Sequence, residues 1–259
     1  EFQRQWDGVE RLNISEWRKK CSEWKKKYPV TLPEYKAQRR YVNYYYFVDE
    51  LSGALGNNEV LVTGDGTAFT ATHQAFKPKK NQQVIFSVGC AAMGYDLPAA
   101  IGACFGNRKK RTVLITGDGS IMLNIQELQT VVHHKLPTKI FLINNEGYLA
   151  IRNTQNNYFN QRLVASDATS GVTFPSFRKI AGAFSLPYLA IRNNKGVVLG
   201  ITKALKISGP VICEIFMDPN QELNPRPKNV IHPDGTFTIP PLEDMYPFLD
   251  REEFKQNIV

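Results

Sequence analysis

The chain has 259 residues, an ordinary globular composition (42% hydrophobic, 22% charged) and a formal net charge of +8. That length suits one α/β domain with additional segments, and no apolar run approaches the ~20 residues of a membrane-crossing helix. Four scattered cysteines (Cys21, Cys90, Cys104, Cys213) without a CxxC pair speak against a disulfide scaffold, a zinc site or an iron–sulfur cluster, and fit a cytoplasmic setting.

The chain opens Glu1-Phe2-Gln3, with no initiator Met and no signal-peptide pattern, and reads as a piece of something longer. Residues 1–40 hold eleven Lys/Arg against six Asp/Glu, so most of the net charge sits there. Arg18-Lys-Lys20 and Lys25-Lys-Lys27 interleave with Trp17, Trp24 and Tyr28, which could describe a nucleic-acid patch. Leu12, Trp17, Cys21 and Trp24 follow helical spacing, however. We therefore read an amphipathic helix with its apolar side docked and its lysines solvated, not a nucleic-acid partner. Pro29 and Pro33 punctuate the link that follows, and the whole segment reads as the tail of a preceding domain.

From residue 41 the pattern is regular. A helix at about Phe47–Leu55 precedes a strand, Glu59–Thr63, and the loop Gly64-Asp-Gly-Thr67. A second strand, Gln83–Ser87, leads into Gly89–Gly94 and a helix over Pro98–Phe105. A third strand, Thr112–Thr116, ends in Gly117-Asp-Gly-Ser120. Asn124 with Glu127 three residues on predicts a capped helix (Ile125, Leu128, Val131, Val132) that stops before Pro137. The fourth strand, Lys139–Asn144, ends in the pair Asn144-Asn145. Thr173 is expected to cap a helix carrying Phe174, Phe177, Ile180 and Phe184. Asn194 opens another (Val197, Val198, Ile201, Leu205), which Gly209-Pro210 breaks before the strand Val211–Phe216. Strands alternating with helices predict an α/β fold: a doubly wound parallel sheet with helices on both faces and right-handed crossovers. It would span residues 41–218. The Pro-rich remainder, 219–259, is expected to be an irregular arm over the surface.

The chemistry gathers at strand ends. Neither Gly-Asp-Gly loop is followed by Lys, which excludes a Walker loop. Neither is a dinucleotide GxGxxG, since Phe69 and Met122 stand where the third glycine belongs. Asp118 and Asn145 instead leave the carboxyl ends of two strands, the edge at which open α/β sheets bind ligands. A carboxylate and an amide oxygen beside glycines suit a magnesium ion (Mg2+) holding a diphosphate, whereas singly each could be a mere turn residue.

This spacing of Gly-Asp-Gly-Ser to Asn-Asn resembles the cofactor motif of thiamine-diphosphate enzymes. The stretch Ala91-Ala-Met-Gly-Tyr-Asp-Leu-Pro98 resembles their acetolactate (acetohydroxyacid) synthase-like group. The resemblance covers about residues 15–259. It implies that Asp118, the Asn145 side chain and the Gly147 carbonyl bind magnesium. Backbone N–H groups of Gly119 and Ser120, beside Gly117, would bind the diphosphate. Met93 would wedge under the bent cofactor, with main-chain groups of Ala91 and Met93 on the pyrimidine edge. Gly66, Thr67 and Ala68 would reach the far end of the diphosphate through backbone and hydroxyl only, because the Gln-His side chains frequent in relatives are replaced. Tyr148 and Leu149, just after the metal loop, would join the cofactor-binding set, Ile151 would face the reacting centre, and Thr154 stands where synthases carry a Trp. That loss widens the substrate pocket towards acceptors other than a small 2-keto acid. Asp96 departs from the Gly usual in the family.

The implied activity is decarboxylation of a 2-keto acid, or its ligation to a second carbonyl compound. The activating glutamate belongs to a pyrimidine-binding domain of a neighbouring subunit, so this chain alone is expected to be inactive and to hold no catalytic residue. The implied partners are that domain, a middle domain, and further copies in a homodimer or homotetramer. Any FAD would be bound largely by the middle domain. Two alternatives stay open: the diphosphate-binding subunit of a naturally split decarboxylase, and a non-catalytic module that keeps the fold.

Overall fold

Residues 112–117, 138–144 and 211–216 are almost continuously apolar or small, the pattern of strands covered on both faces. The computed structural model, which describes residues 13–258, makes them the centre of a six-stranded parallel sheet. Its strands are β1 (Val60–Thr63), β2 (Gln83–Ile85), β3 (Thr112–Gly117), β4 (Thr138–Asn144), β5 (Tyr188–Ile191) and β6 (Val211–Phe216), in the order β2-β1-β3-β4-β6-β5. Alternate residues feed two cores. Val113, Ile115, Phe141, Ile143, Cys213 and Ile215 meet the helices Tyr44–Ala54, Thr67–Ala75 and Val197–Lys206. Leu114, Ile140, Leu142 and Ile212 meet the helices Asp96–Gly106, Leu128–His133 and Phe177–Ala183. The predicted doubly wound α/β sheet is therefore the observed one.

The order of strands positions the site. The chain passes from β1 outward to β2, then crosses to β3 on the other side of β1. The loops leaving β1 and β3 thus diverge at their carboxyl ends and open the crevice where doubly wound sheets bind ligands. The pairing Gly117↔Ile143 brings the ends of β3 and β4 level, so Asp118 and Asn145 emerge close together.

Several expected boundaries move. The first core helix begins at Tyr44 rather than Phe47, because the Asn43 side chain caps it by accepting from Tyr46 N–H (3.2 Å). Asn124 caps nothing: its amide donates to the Gly94 carbonyl (2.7 Å), Glu127 accepts from the Thr130 hydroxyl, and a 3-10 turn over Ile125–Glu127 precedes the helix. Ser176, not Thr173, caps the helix Phe177–Ala183, and Phe174 lies outside it, edge-on to Tyr148. The strand β5 and the helices Thr67–Ala75 and Leu149–Tyr158 were not anticipated. β5 is a four-residue edge strand, and the helix after Gly147 reads Leu-Ala-Ile-Arg-Asn-Thr-Gln-Asn-Asn-Tyr, poor in strong helix formers.

The carboxyl-terminal arm is less irregular than expected. It forms a ribbon of Val230–Ile231 with Phe237–Thr238 and ends in a helix, Arg251–Asn257, whose first turn the Asp250 carboxylate caps. That helix meets the amino-terminal one, Ser15–Lys27. Trp24 Nε1 donates to Asn257 Oδ1 (2.8 Å), Tyr28 Oη donates to Glu253 Oε1 (2.6 Å), and Lys27 pairs with the same carboxylate (2.8 Å). The basic helix thus docks through its carboxyl end, while Trp17 is 52% exposed. Leu12, the first apolar position predicted for that helix, lies outside the described residues. No described helix is long and apolar enough to cross a membrane.

Glu253 accepts from both Tyr28 and Lys27, so its removal should loosen the clasp without touching the sheet. We expect Glu253→Ala to raise hydrogen exchange across residues 251–257 and leave that of β3 and β4 unchanged. Equal exchange in both proteins would show that the clasp rests on other contacts.

Candidate functional site

Asp118 follows β3 directly and begins the short helix Asp118–Met122. It is 2% exposed. Its Oδ1 accepts from Gly119 N–H (2.8 Å); its Oδ2 accepts from Asn145 N–H (3.1 Å) and Gly147 N–H (3.2 Å). A carboxylate offers roughly four lone-pair directions, and three are used. Burial pushes Asp118 up to about 7, against the pull of those three N–H groups and of the Arg152 charge. The Gly119 N–H, expected on the diphosphate, is given to Asp118 here, because the nearest donor satisfies a buried carboxylate first.

Asn145 is 4% exposed, and its side-chain oxygen has no hydrogen-bond partner. Buried acceptors left alone cost about 1–3 kcal/mol and ask for an explanation. The neighbouring Asn144 is occupied: its amide donates to Glu214 Oε1 (2.6 Å) and its oxygen accepts from Glu146 N–H (3.1 Å). The two asparagines of the pair thus divide: one braces β4 against β6 and the other faces the cleft. No group of three or more His, Cys, Asp or Glu side chains able to hold a metal ion occurs among the described residues. A cation at this place would rely on one carboxylate, one amide oxygen and backbone carbonyls, a hard all-oxygen set suited to magnesium.

Around these two residues lies a cleft of about 170 Å³. The β1 loop lines it with Gly66, Thr67 and Ala68, and the β3 loop with Gly117, Asp118, Gly119 and Ser120. The β4 loop and the helix after it supply Asn145, Gly147, Tyr148, Leu149 and Ile151, and Met93 comes from the loop before the helix Asp96–Gly106. All of these were expected from the sequence. Ala91 instead lines an adjoining hollow with Phe69, Ser87 and Tyr95. Thr154 is exposed one helical turn from the cleft, its hydroxyl donating to the Ala150 carbonyl (3.1 Å).

The loops hold one another. Ser120 Oγ accepts from Gly94 N–H (2.9 Å) while Asn124 holds the Gly94 carbonyl, so the Met93 loop is fixed to the Gly-Asp-Gly-Ser turn from both sides. Asp96 is fully buried beside Gly64, and its Oδ2 accepts from the Thr116 hydroxyl (2.5 Å). Burial raises its carboxyl, opposed by hydrogen bonds from Thr116 and Ser120. The residue that departs from the family pattern therefore ties the end of the Met93 loop to β3 and packs beside the β1 loop, leaving no room for a side chain at Gly64.

Sequence reasoning missed Asp65, Ile143 and Ala150, which also line the cleft, and Arg152, which is buried beneath it. Asp65 is flagged by its two flanking glycines. Arg152 is the lone charge in the helix Leu149–Tyr158, the only hint the sequence carries. Burial lowers its guanidinium, opposed by the charges of Asp167, Asp118 and Glu146.

Gly147 has φ +144°, and a Cβ there would overlap the Ser166 carbonyl and lie 2.5 Å from an Arg152 nitrogen. Gly147→Ala should therefore cost on the order of 1–3 kcal/mol from backbone strain alone. Urea unfolding checks this, and an unchanged midpoint would mean that the turn relaxes freely.

With this geometry established, comparison with known proteins gives one answer. Residues 62–215 match the family described as thiamine pyrophosphate enzyme, C-terminal TPP binding domain. The chain is 30% identical over 223 residues to the acetolactate synthase large subunit of Porphyra purpurea, covering 82% of this chain and 35% of that protein. It is 30% identical over 220 residues to acetolactate synthase 1, chloroplastic, of Nicotiana tabacum (83% and 32%). It is 26% identical over 220 residues to the acetolactate synthase isozyme 1 large subunit of Escherichia coli (strain K12) (84% and 38%). The chain thus spans about a third of the length of these relatives. The cleft at the ends of β1, β3 and β4 lies within the matched region, and the chain belongs to the thiamine pyrophosphate enzymes, with the fold of their C-terminal TPP binding domain.

Proposed function

We propose that this chain is the diphosphate- and magnesium-binding half of a thiamine-diphosphate-dependent 2-keto acid decarboxylase or carboligase resembling acetolactate synthase. The observation that carries the reading is the buried Asn145 oxygen without a partner beside the buried Asp118 carboxylate. A divalent cation would satisfy both at once. Asp118, Asn145 and the Gly147 carbonyl would hold it. The turn Gly117–Ser120 and the loop Gly66–Ala68 would seat the diphosphate, and Met93 would support the cofactor between its rings.

When bound, thiamine diphosphate supplies the nucleophilic carbon and electron sink that let a 2-keto acid lose carbon dioxide. This chain's own residues bind and orient. Ile151, Met93 and Leu149 give the cleft an apolar wall. The proton-handling glutamate that activates the cofactor would come from the pyrimidine-binding domain of a longer protein, assembled as a homodimer or homotetramer. On this reading residues 1–40 are the end of a middle domain and 219–259 an arm that returns to it.

Calorimetric titration of the purified chain with thiamine diphosphate tests the reading. We expect binding that requires magnesium and is lost in both Asp118→Ala and Asn145→Ala, with no measurable turnover of pyruvate by the chain alone. Binding indifferent to magnesium, or unchanged in the variants, would sink it.

The pH dependence has a definite sign. In the metal-free protein Asp118 is pushed from its ordinary 3.8 up to about 7. Between those values the unfolded chain has released a proton that the folded chain keeps, so this group's contribution to stability falls as pH rises from about 4 to 7. A cation that pairs with the carboxylate reverses that cost. The rise in Tm produced by magnesium with thiamine diphosphate should therefore grow between pH 5 and 7 and level off above. A rise independent of pH would remove Asp118 from the ligand set.

A further inference from the structure

Arg152 is 6% exposed, yet it takes part in none of the ion pairs found among the described residues. Its guanidinium is spent on four backbone carbonyls. Nη2 donates to Asn145 O (2.8 Å) and Pro219 O (2.9 Å), and Nη1 donates to Glu146 O (3.1 Å) and Ser166 O (3.2 Å). Burying a cation against neutral dipoles is expensive compared with an apolar side chain of similar size. A planar fork of donors can fix several carbonyl groups at set angles, which a lysine ammonium or a methionine cannot do.

The segment it grips needs fixing. Glu146 has φ +61° and Gly147 φ +144°, two consecutive residues in the left-handed half of conformational space. Such a turn persists only when its surroundings over-determine it. On the cleft side the same turn carries the Asn145 oxygen and gives two N–H groups to Asp118. On the far side Arg152 joins it to the loop at Ser166 and to the start of the carboxyl-terminal arm. The β4–β6 ladder runs up to this point, Met217 N–H donating to Asn144 O (3.0 Å) two residues before Pro219.

We propose that Arg152 is the positioning residue of the cation site: its guanidinium holds the Asn145–Gly147 turn in the conformation that presents the Asn145 oxygen, and makes the arm at Pro219 part of the same unit. This rests on the cation reading above. Arg152 touches neither cation nor cofactor, and its effect passes through the turn.

The test titrates magnesium into the full-length protein at saturating thiamine diphosphate, comparing wild type with Arg152→Lys, Arg152→Gln and Leu136→Ala. Leu136 is buried at the opposite end of β4 and serves as a control for lost stability alone. We expect both Arg152 variants to raise the half-saturating magnesium concentration at least about tenfold, as for other groups that orient metal ligands. Leu136→Ala should lower Tm and leave that concentration within about twofold. Arg152 variants that lose Tm but keep the wild-type magnesium midpoint would overturn the proposal and leave a structural role. In the wild type, magnesium with thiamine diphosphate should slow hydrogen exchange in residues 145–147 and 217–221 together. Protection confined to 145–147 would overturn the coupling to the arm, even if neither variant folded. No magnesium-dependent binding by the wild type would instead refute the cation reading itself, a distinct result.

Discussion

A carboxylate buried at the end of a strand has to be satisfied, and the upper edge of this molecule is arranged around that one requirement. Asp118 receives three backbone N–H groups, two of them from a neighbouring strand's loop, so the carboxylate defines where that loop sits. The parallel register of β3 and β4 delivers the loop to it. Burial works against the charge, and the remaining lone pair together with the unpartnered Asn145 oxygen leaves a two-point gap in an otherwise saturated network. Such a gap stores local instability that a ligand relieves, which is how a binding site differs from a core.

Around this gap stands a second rank of polar groups whose task is alignment. Arg152 grips carbonyls from beneath, Asp96 reaches Thr116 and fills the space a side chain at Gly64 would need, and Ser120 and Asn124 hold Gly94 between them. Gly94 is one place where only glycine serves: at φ +80° its added Cβ would stand 2.7 Å from that of Leu123. Each loop of the cleft is thus braced by a side chain from another loop. The cleft's shape is a property of the set of loops, and no one motif contains it.

That division explains what could be read from the amino-acid order. The central strands, the parallel architecture and most of the cleft lining were legible, because burial on two faces and ligand chemistry at strand ends leave local marks in residues 112–120 and 138–149. The bracing was not. Arg152, Asp96 and Asn124 act on partners from 6 to 67 residues away, and nothing in their immediate neighbours announces this. Asn124 shows the hazard in reverse: its spacing to Glu127 imitates a helix cap, whereas tertiary contact claims its amide for Gly94. The edge strand β5 escaped for a related reason, since four residues of which only Ile191 is buried carry too little periodicity to stand out.

The pairing of the helices Ser15–Lys27 and Arg251–Asn257 has a mechanical consequence. Trp24 and Tyr28 near one end of the described residues hydrogen-bond to Asn257 near the other, so the stretch between them is closed into a loop. A pull on the segment before Ser15 is taken up first by two short helices held through Tyr28, Lys27 and Glu253, and only afterwards by β-strand ladders. The clasp would act as a fuse in series with the domain. It would give way before the sheet, and the cleft, carried on the central strands β3 and β4, would keep its geometry while the ends part.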